Sequence, residues 1–191
     1  MIAPSRATRS YRSDPVTAAR WKPSVTVAAI AEQVVDGQRR FLLIEEHTPE
    51  GLRLNNPAGH LDEGESPLQA VQRECLEETA CVFAPQALLG VYLARFVPPA
   101  LVASGAAPAD DVTYLRFAYS GTVGPPDPAR PLDRGIVRRL WLTADEVRAS
   151  AHLHRSPLVL RCIEDHIAGV RHALDVVWAD ASLQAPGPLG A

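Results

Sequence analysis

Apolar and polar positions along the chain alternate between two periods, and the switch between them outlines the fold. Val25 to Ala31 is rich in Val, Ala and Ile and reads as a strand. Gly37 marks a turn, and Phe41 to Glu46 reads as the second strand of a hairpin. Asn55-Asn56-Pro57-Ala58-Gly59 is loop chemistry, because Asn tolerates unusual dihedrals and Pro interrupts a ladder. The period then changes. Leu68, Val71, Cys75 and Leu76, with Ala70 beside them, form a stripe at helical spacing, and Ser66-Pro67 supplies an N-cap followed by Pro at the first helical position. Leu88 to Val97 and Val112 to Val123 are strand-like, with Pro/Ala/Gly loops at Pro98–Asp111 and Gly124–Pro131. Ile136 to Leu142 reads as a short strand. Thr143 and Glu146 then form a capping-box signature, and a last helix spans Ser156 to His172. Strands, one helix, more strands, then helices predict a mixed sheet with helices packed on it, an α/β or α+β sandwich.

Arg73 and the glutamates around it lie off the apolar stripe of the first helix, so that helix can bury one face on a sheet while its acidic face lines a cleft. Glu74, Glu77 and Glu78 stand at i, i+3 and i+4 and project together. Like charges at that spacing cost an isolated helix about 0.2–0.5 kcal/mol per pair. A hard divalent cation, which takes oxygen ligands, would offset that repulsion. The competing expectation is a solvated helix face, the usual reading of a charge run.

Composition narrows the class. With 191 residues, one domain with tails is expected, and 47% hydrophobic with 21% charged residues is an ordinary globular profile. A net charge of −3 gives no reason to expect a nucleic-acid polymer as partner. Cys75, Cys81 and Cys162 have neither the pairing of a disulfide framework nor zinc-finger spacing; they read as buried thiols in a reducing cytoplasm. No apolar run approaches membrane-spanning length, so no membrane partner is expected. Residues 1–21 read as a disordered extension or a mis-set start, residues 22–178 as the domain, and residues 179–191 as a disordered tail. Monomer and homodimer both stay open.

The loop before the acidic helix is itself acidic, and it joins the glutamates in one long pattern: Gly59, Glu65, Arg73, Glu74, Glu77 and Glu78, with apolar Cys75 and Cys81 at fixed intervals. This segment resembles the Nudix box, G-x5-E-x7-R-E-U-x-E-E-x-G-U, with U an apolar residue. One position departs: the second Gly is Ala80, where a helix exit favours a left-handed residue, so the exit geometry is put in question. Further segments, Lys22–Ala28, Phe41–Glu46, Asn56–Leu61, Leu115–Phe117 and Arg155–Val159, resemble the NudJ-type phosphatases of that family.

The resemblance implies a Nudix-type α/β/α sandwich with a mixed β-sheet and an enzyme acting on phosphorus-containing anhydrides. It implies nucleoside tri- and diphosphates and a thiamine-precursor pyrophosphate as substrates, with release of phosphate. Glu74, Glu77 and Glu78, with the Gly59 carbonyl, would hold Mg²⁺, or Mn²⁺ in its place. Arg73 would pair with Glu65 and align the helix on its loop. Candidate bases are Glu77, Asp111 and Asp133, with Glu77 preferred, since the position six before Trp141 is Gly135. His60 is placed either to touch phosphate or to be a structural loop residue, and Arg116 either to clamp phosphate or to sit on an exposed strand face. His152 and His154 read as solvated, and Trp21, Trp141 and Trp178 as packing residues. Competing readings are another nucleoside diphosphate-X substrate (ADP-ribose, a dinucleoside polyphosphate, an oxidised nucleotide) and a non-catalytic nucleotide-sensing module.

Overall fold

The computed structural model describes residues 21–96 and 112–184. Seven strands form one mixed sheet: β1 (Ser24–Val35), β2 (Gln38–Thr48), β3 (Gly51–Asn55), β4 (Ala58–His60), β5 (Phe83–Phe96), β6 (Val112–Val123) and β7 (Ile136–Thr143). The helices are α1 (Pro67–Thr79), α2 (Ala144–Ala149) and α3 (Leu158–Ile167). Spatial order is β3-β2-β1-β6-β5, with β4 on β1 and β7 on β2. Among the described strands, only β1 and β6 pair in parallel. β1 divides its partners: Glu32–Val35 pair with β2, whereas Thr26–Ala28 pair with β4.

The sheet is buried on both faces, as the apolar run in β1 requires. Ala28 and Ile30 join Phe41, Leu43, Ala118, Val159 and Ile163 in one core cluster under α2 and α3. Val27, Ala29 and Ala31 point the other way, to Leu42, Val71, Cys75, Phe83 and Tyr119 beneath α1. This is the expected α/β/α sandwich.

β1 and β2 run past their expected ends, Gly51–Asn55 forms a strand that was not expected, and other boundaries also differ from expectation. Ala58–His60, expected as loop, is a strand because its backbone finds β1. β5 begins at Phe83, five residues before the predicted start at Leu88, since β6 offers partners back to Val123. α3 stops at Ile167, not His172: Gly169 turns to φ 80°, and His172 exchanges backbone hydrogen bonds with Leu88 at 2.8 and 2.9 Å. Ala181–Gln184, expected as irregular tail, forms a 3-10 turn. Trp141 packs partly on the α1-side core, but Trp21 and Trp178 are exposed, because each lies outside the paired strands. The N-terminal extension, apart from Trp21, and the Pro98–Asp111 loop, including Asp111, lie outside the described residues.

Candidate active site

α1 is set at both ends. Ser66 Oγ accepts from the Gln69 N–H, and Gln69 Oε1 accepts from the Ser66 N–H at 2.8 Å, a full capping box. At the exit Ala80 takes the left-handed conformation (φ 55°), and its N–H donates to Leu76 O at 2.9 Å. The turn that a Gly would make is therefore made by Ala, in a region that disfavours a β-carbon. Thr79 Oγ1 supports it by accepting from the Cys81 N–H at 3.2 Å.

Arg73 organises the face that α1 turns outward. Its Nε and Nη2 bind both oxygens of Glu65 at 3.1 and 2.6 Å, its Nη1 donates to Glu74 and Glu77 at 2.8 and 3.0 Å, and its Nη2 also donates to the His60 carbonyl at 3.0 Å. The bidentate bond from Arg73 holds the Glu65 carboxyl below the usual range, and the same bond raises Arg73. Glu65 also accepts from the Asp62 N–H at 2.8 Å, so the loop, the arginine and the helix form one unit. The expected Arg73–Glu65 pair is present.

A cleft of about 950 Å³ opens beside this unit, lined in part by Gly59, His60, Glu74, Glu78, Arg116 and Tyr114. Glu78 is buried and accepts from the Ala58 N–H at 2.8 Å. Burial pushes its carboxyl up to about 9, and the neighbouring Glu74, Glu46 and Asp133 add to the rise. Burial likewise raises Glu74, against the pull of Arg73. Gly59 leaves room for this arrangement: a β-carbon there would stand 2.1 Å from the Glu74 carboxylate. Glu77 points to Arg73 and is not among the cleft-lining side chains. Asp133 is exposed, and its N–H donates to Glu77 O at 3.0 Å.

Among the described residues no three acidic or imidazole side chains form a complete metal cage. The donor set nonetheless suits a hard cation, with two crowded carboxylates and a carbonyl-bearing loop closing on the same cleft. Mg²⁺ is commonly held by one or two carboxylates, keeping other positions for water and phosphate oxygens.

Arg116 departs from the exposed-face expectation. It is buried (8% exposed), lines the cleft, and its Nε and Nη1 have no hydrogen-bond partner among the described residues. Burial lowers its pKa. In register it lies beside Thr26 of β1, which in turn faces His60 of β4, so the three form a row across the strands. His60 itself is exposed, with its ring 6.3 Å from that of Tyr114. His152 and His154 also line the cleft. His152 is exposed, as expected; His154 is half-buried, burial lowers its pKa, and it lies 3.4 Å from Ser150 Oγ.

A NUDIX domain model matches residues 24–162, most of the chain. The chain belongs to the Nudix family. It is 31% identical to Phosphatase NudJ of Escherichia coli (strain K12) over 82% of this chain and 92% of that protein. A solved NUDIX hydrolase from Nitrosomonas europaea is 48% identical, with a TM-score of 0.69 over 83% of this chain and 98% of that one. The NUDIX domain of Shewanella oneidensis NrtR, solved with ADP ribose, shares the fold at 20% identity and TM-score 0.56, covering 83% of this chain and 94% of that one.

This Nudix hydrolase thus acts on phosphorus-containing anhydrides, in a family that uses divalent metals. Its cleft also holds residues that sequence reasoning passed over: Thr26, Glu46, Asn55 and Arg155. Their signals were slight. Glu46 follows the apolar run Phe41–Ile44, Asn55 ends β3, and Arg155 precedes the Ser-Pro before α3. Pairing of β1, β2 and β3, with the return of the chain before α3 onto β3, brings them to one place.

Proposed function

We propose that this Nudix hydrolase is an Mg²⁺-dependent phosphatase of nucleoside tri- and diphosphates, and of hydroxymethylpyrimidine pyrophosphate, releasing orthophosphate. Mn²⁺ substitutes in this reading. The observation that carries it is the meeting of both charges in one cleft: the carboxyl groups of Glu74 and Glu78, and the buried Arg116 guanidinium, two of whose nitrogens have no partner among the described residues. A buried cation without an anion is costly, and a phosphate group satisfies it.

In the mechanism, Glu74, Glu78 and the Gly59 carbonyl would hold the metal, with Glu77 beside them. A bound divalent ion supplies Lewis-acid polarisation of a phosphoryl oxygen and lowers the pKa of water. Arg116 and His60 hold the phosphate chain. Arg73, anchored by Glu65, keeps the acidic side chains in place. Glu77, on leaving its bond to Arg73, would take the proton from the attacking water, with Asp133 as its competitor. Three unpaired, buried cysteines accord with a cytoplasmic site of action.

The test measures orthophosphate and pyrophosphate separately from nucleoside triphosphates with Mg²⁺. Orthophosphate alone is expected; pyrophosphate as the sole product, or no turnover of any diphosphate-containing compound, refutes the proposal. Glu78→Gln should remove most turnover while leaving the melting temperature within a few degrees. Near wild-type activity of that variant at saturating Mg²⁺ would overturn the metal assignment.

A further inference from the structure

Beside the phosphate-facing groups, the cleft carries a second polar chain. Arg155 Nη1 donates to Glu46 Oε2, and Asn55 Nδ2 donates to Glu46 Oε1 at 3.2 Å. The Arg155 N–H also donates to Leu54 O at 2.9 Å, which ties the segment before α3 to β3. Glu46 and Asn55 are 8% and 4% exposed, and both line the cleft with Arg155.

This chain determines which end of the Asn55 amide is free. A carboxylate salt-bridged to arginine is an acceptor only, so only the amide NH₂ can face it. The Oδ1 must then turn away from Glu46, and it has no hydrogen-bond partner among the described residues. Thr26 Oγ1, also buried and cleft-lining, is likewise without one. Buried acceptors are normally paired, and an acceptor left open in a binding cleft favours a ligand that donates. The Glu46 carboxylate beside Asn55 reinforces a preference for a donor. Arg116 belongs to the phosphates, which leaves Asn55 for the rest of the substrate.

We propose that Asn55 is a specificity-determining residue whose Oδ1 accepts a hydrogen bond from an amino-substituted heterocycle, and that Glu46 and Arg155 are positioning residues that fix the amide's direction. The proposal rests on the reading that the cleft takes nucleotides. The cleft volume, about 950 Å³, is large enough for a base as well as its phosphates.

Matched pairs of nucleotides that exchange an amino group for an oxo group test it: CTP against UTP, and ATP against ITP. In at least one pair the wild-type protein should favour the amino member by about tenfold or more in kcat/KM. Glu46→Gln supplies an NH₂ to Asn55 Oδ1, which lets the amide turn; the preference should collapse or reverse while circular dichroism shows an unchanged fold. Asn55→Leu should abolish the preference in both directions. Equal treatment of both pairs by the wild type, or a full preference retained in folded Glu46→Gln, overturns the proposal. Binding of CMP, UMP, AMP and IMP is measured in parallel by calorimetry with EDTA present. A binding preference without any turnover refutes the hydrolytic reading and supports this one, whereas turnover without preference refutes this one alone.

Discussion

Gly59→Ala isolates the geometry on which the site depends. A β-carbon at Gly59 would meet Glu74 Cδ and Oε1 at 2.1 Å and Oε2 at 2.2 Å, with no backbone atom among these nearest contacts. Ordinary contact begins near 3.4 Å, so the carboxylate must withdraw by about 1.3 Å (3.4 less 2.1). Glu74 is a flexible side chain, and forcing it off its rotamer costs about 0.5–1.5 kcal/mol. For a domain of this size that is a drop of roughly 1–6 °C in Tm. Function should suffer more, because displacing a positioned group by about 1 Å costs on the order of a hundredfold in rate. The assay is kcat/KM with a Mg²⁺ titration alongside thermal melting, for Gly59→Ala alone and in a Glu74→Ala background. The expected result is a loss of about a hundredfold and a higher Mg²⁺ requirement for the single variant. In the Glu74→Ala background the substitution should no longer affect Tm, since the clashing group is gone. Activity within threefold of wild type, or an undiminished Tm loss in that background, would refute the reasoning.

Three other outcomes follow from the same contacts. Ala80→Gly relieves a left-handed non-glycine residue at the α1 exit and should stabilise by up to about 1 kcal/mol after the entropy of the freed chain is deducted; a lower urea midpoint would count against it. Arg73→Lys cannot bind both Glu65 oxygens while reaching Glu74, Glu77 and the His60 carbonyl, so it should lose about 1.5–3 kcal/mol of stability and most activity; wild-type unfolding would contradict this. His166 is buried against Glu32, Arg171 and the edge of Phe41, and burial, with Arg171 next, holds its pKa below the ordinary 6.5. The unfolded chain therefore takes up this proton first on acidification, so the stability from neutral His166 is full above pH 6.5 and is lost as pH falls through the folded pKa. His166→Gln should flatten the decline in urea midpoint as pH falls below about 6.5; parallel declines in both proteins would exclude the assignment.

Much of this molecule was legible along the chain because its signals are local. The capped start of α1, its apolar stripe, the strands β1, β2 and β6, and the spacing of Gly59, Glu65, Arg73, Glu74, Glu77 and Glu78 all depend on neighbours within a few residues. Helix periodicity alone puts Glu74 and Glu78 on one face. The Arg73–Glu65 pair, eight residues apart, lies within reach of a loop and a helical turn. Other features had no local signal. Ala58–His60 becomes a strand only because β1 is beside it, and α3 ends where Leu88 captures His172.

The division of roles within the cleft was likewise decided by tertiary structure. Arg116 reads on the chain as one cation in a strand; burial beside Thr26, with no partner among the described residues for two of its nitrogens, is what supports the proposal of an anion site there. Glu46, Asn55 and Arg155 stand up to 109 residues apart, and only the pairing of β2 with β3 and the return of the chain before α3 joins them. By itself the sequence determined the acidic helix and the family, because repulsion and spacing are short-range properties of one segment. Which groups face those glutamates was left to the fold, because a cleft wall is assembled from strands that meet only when the sheet forms.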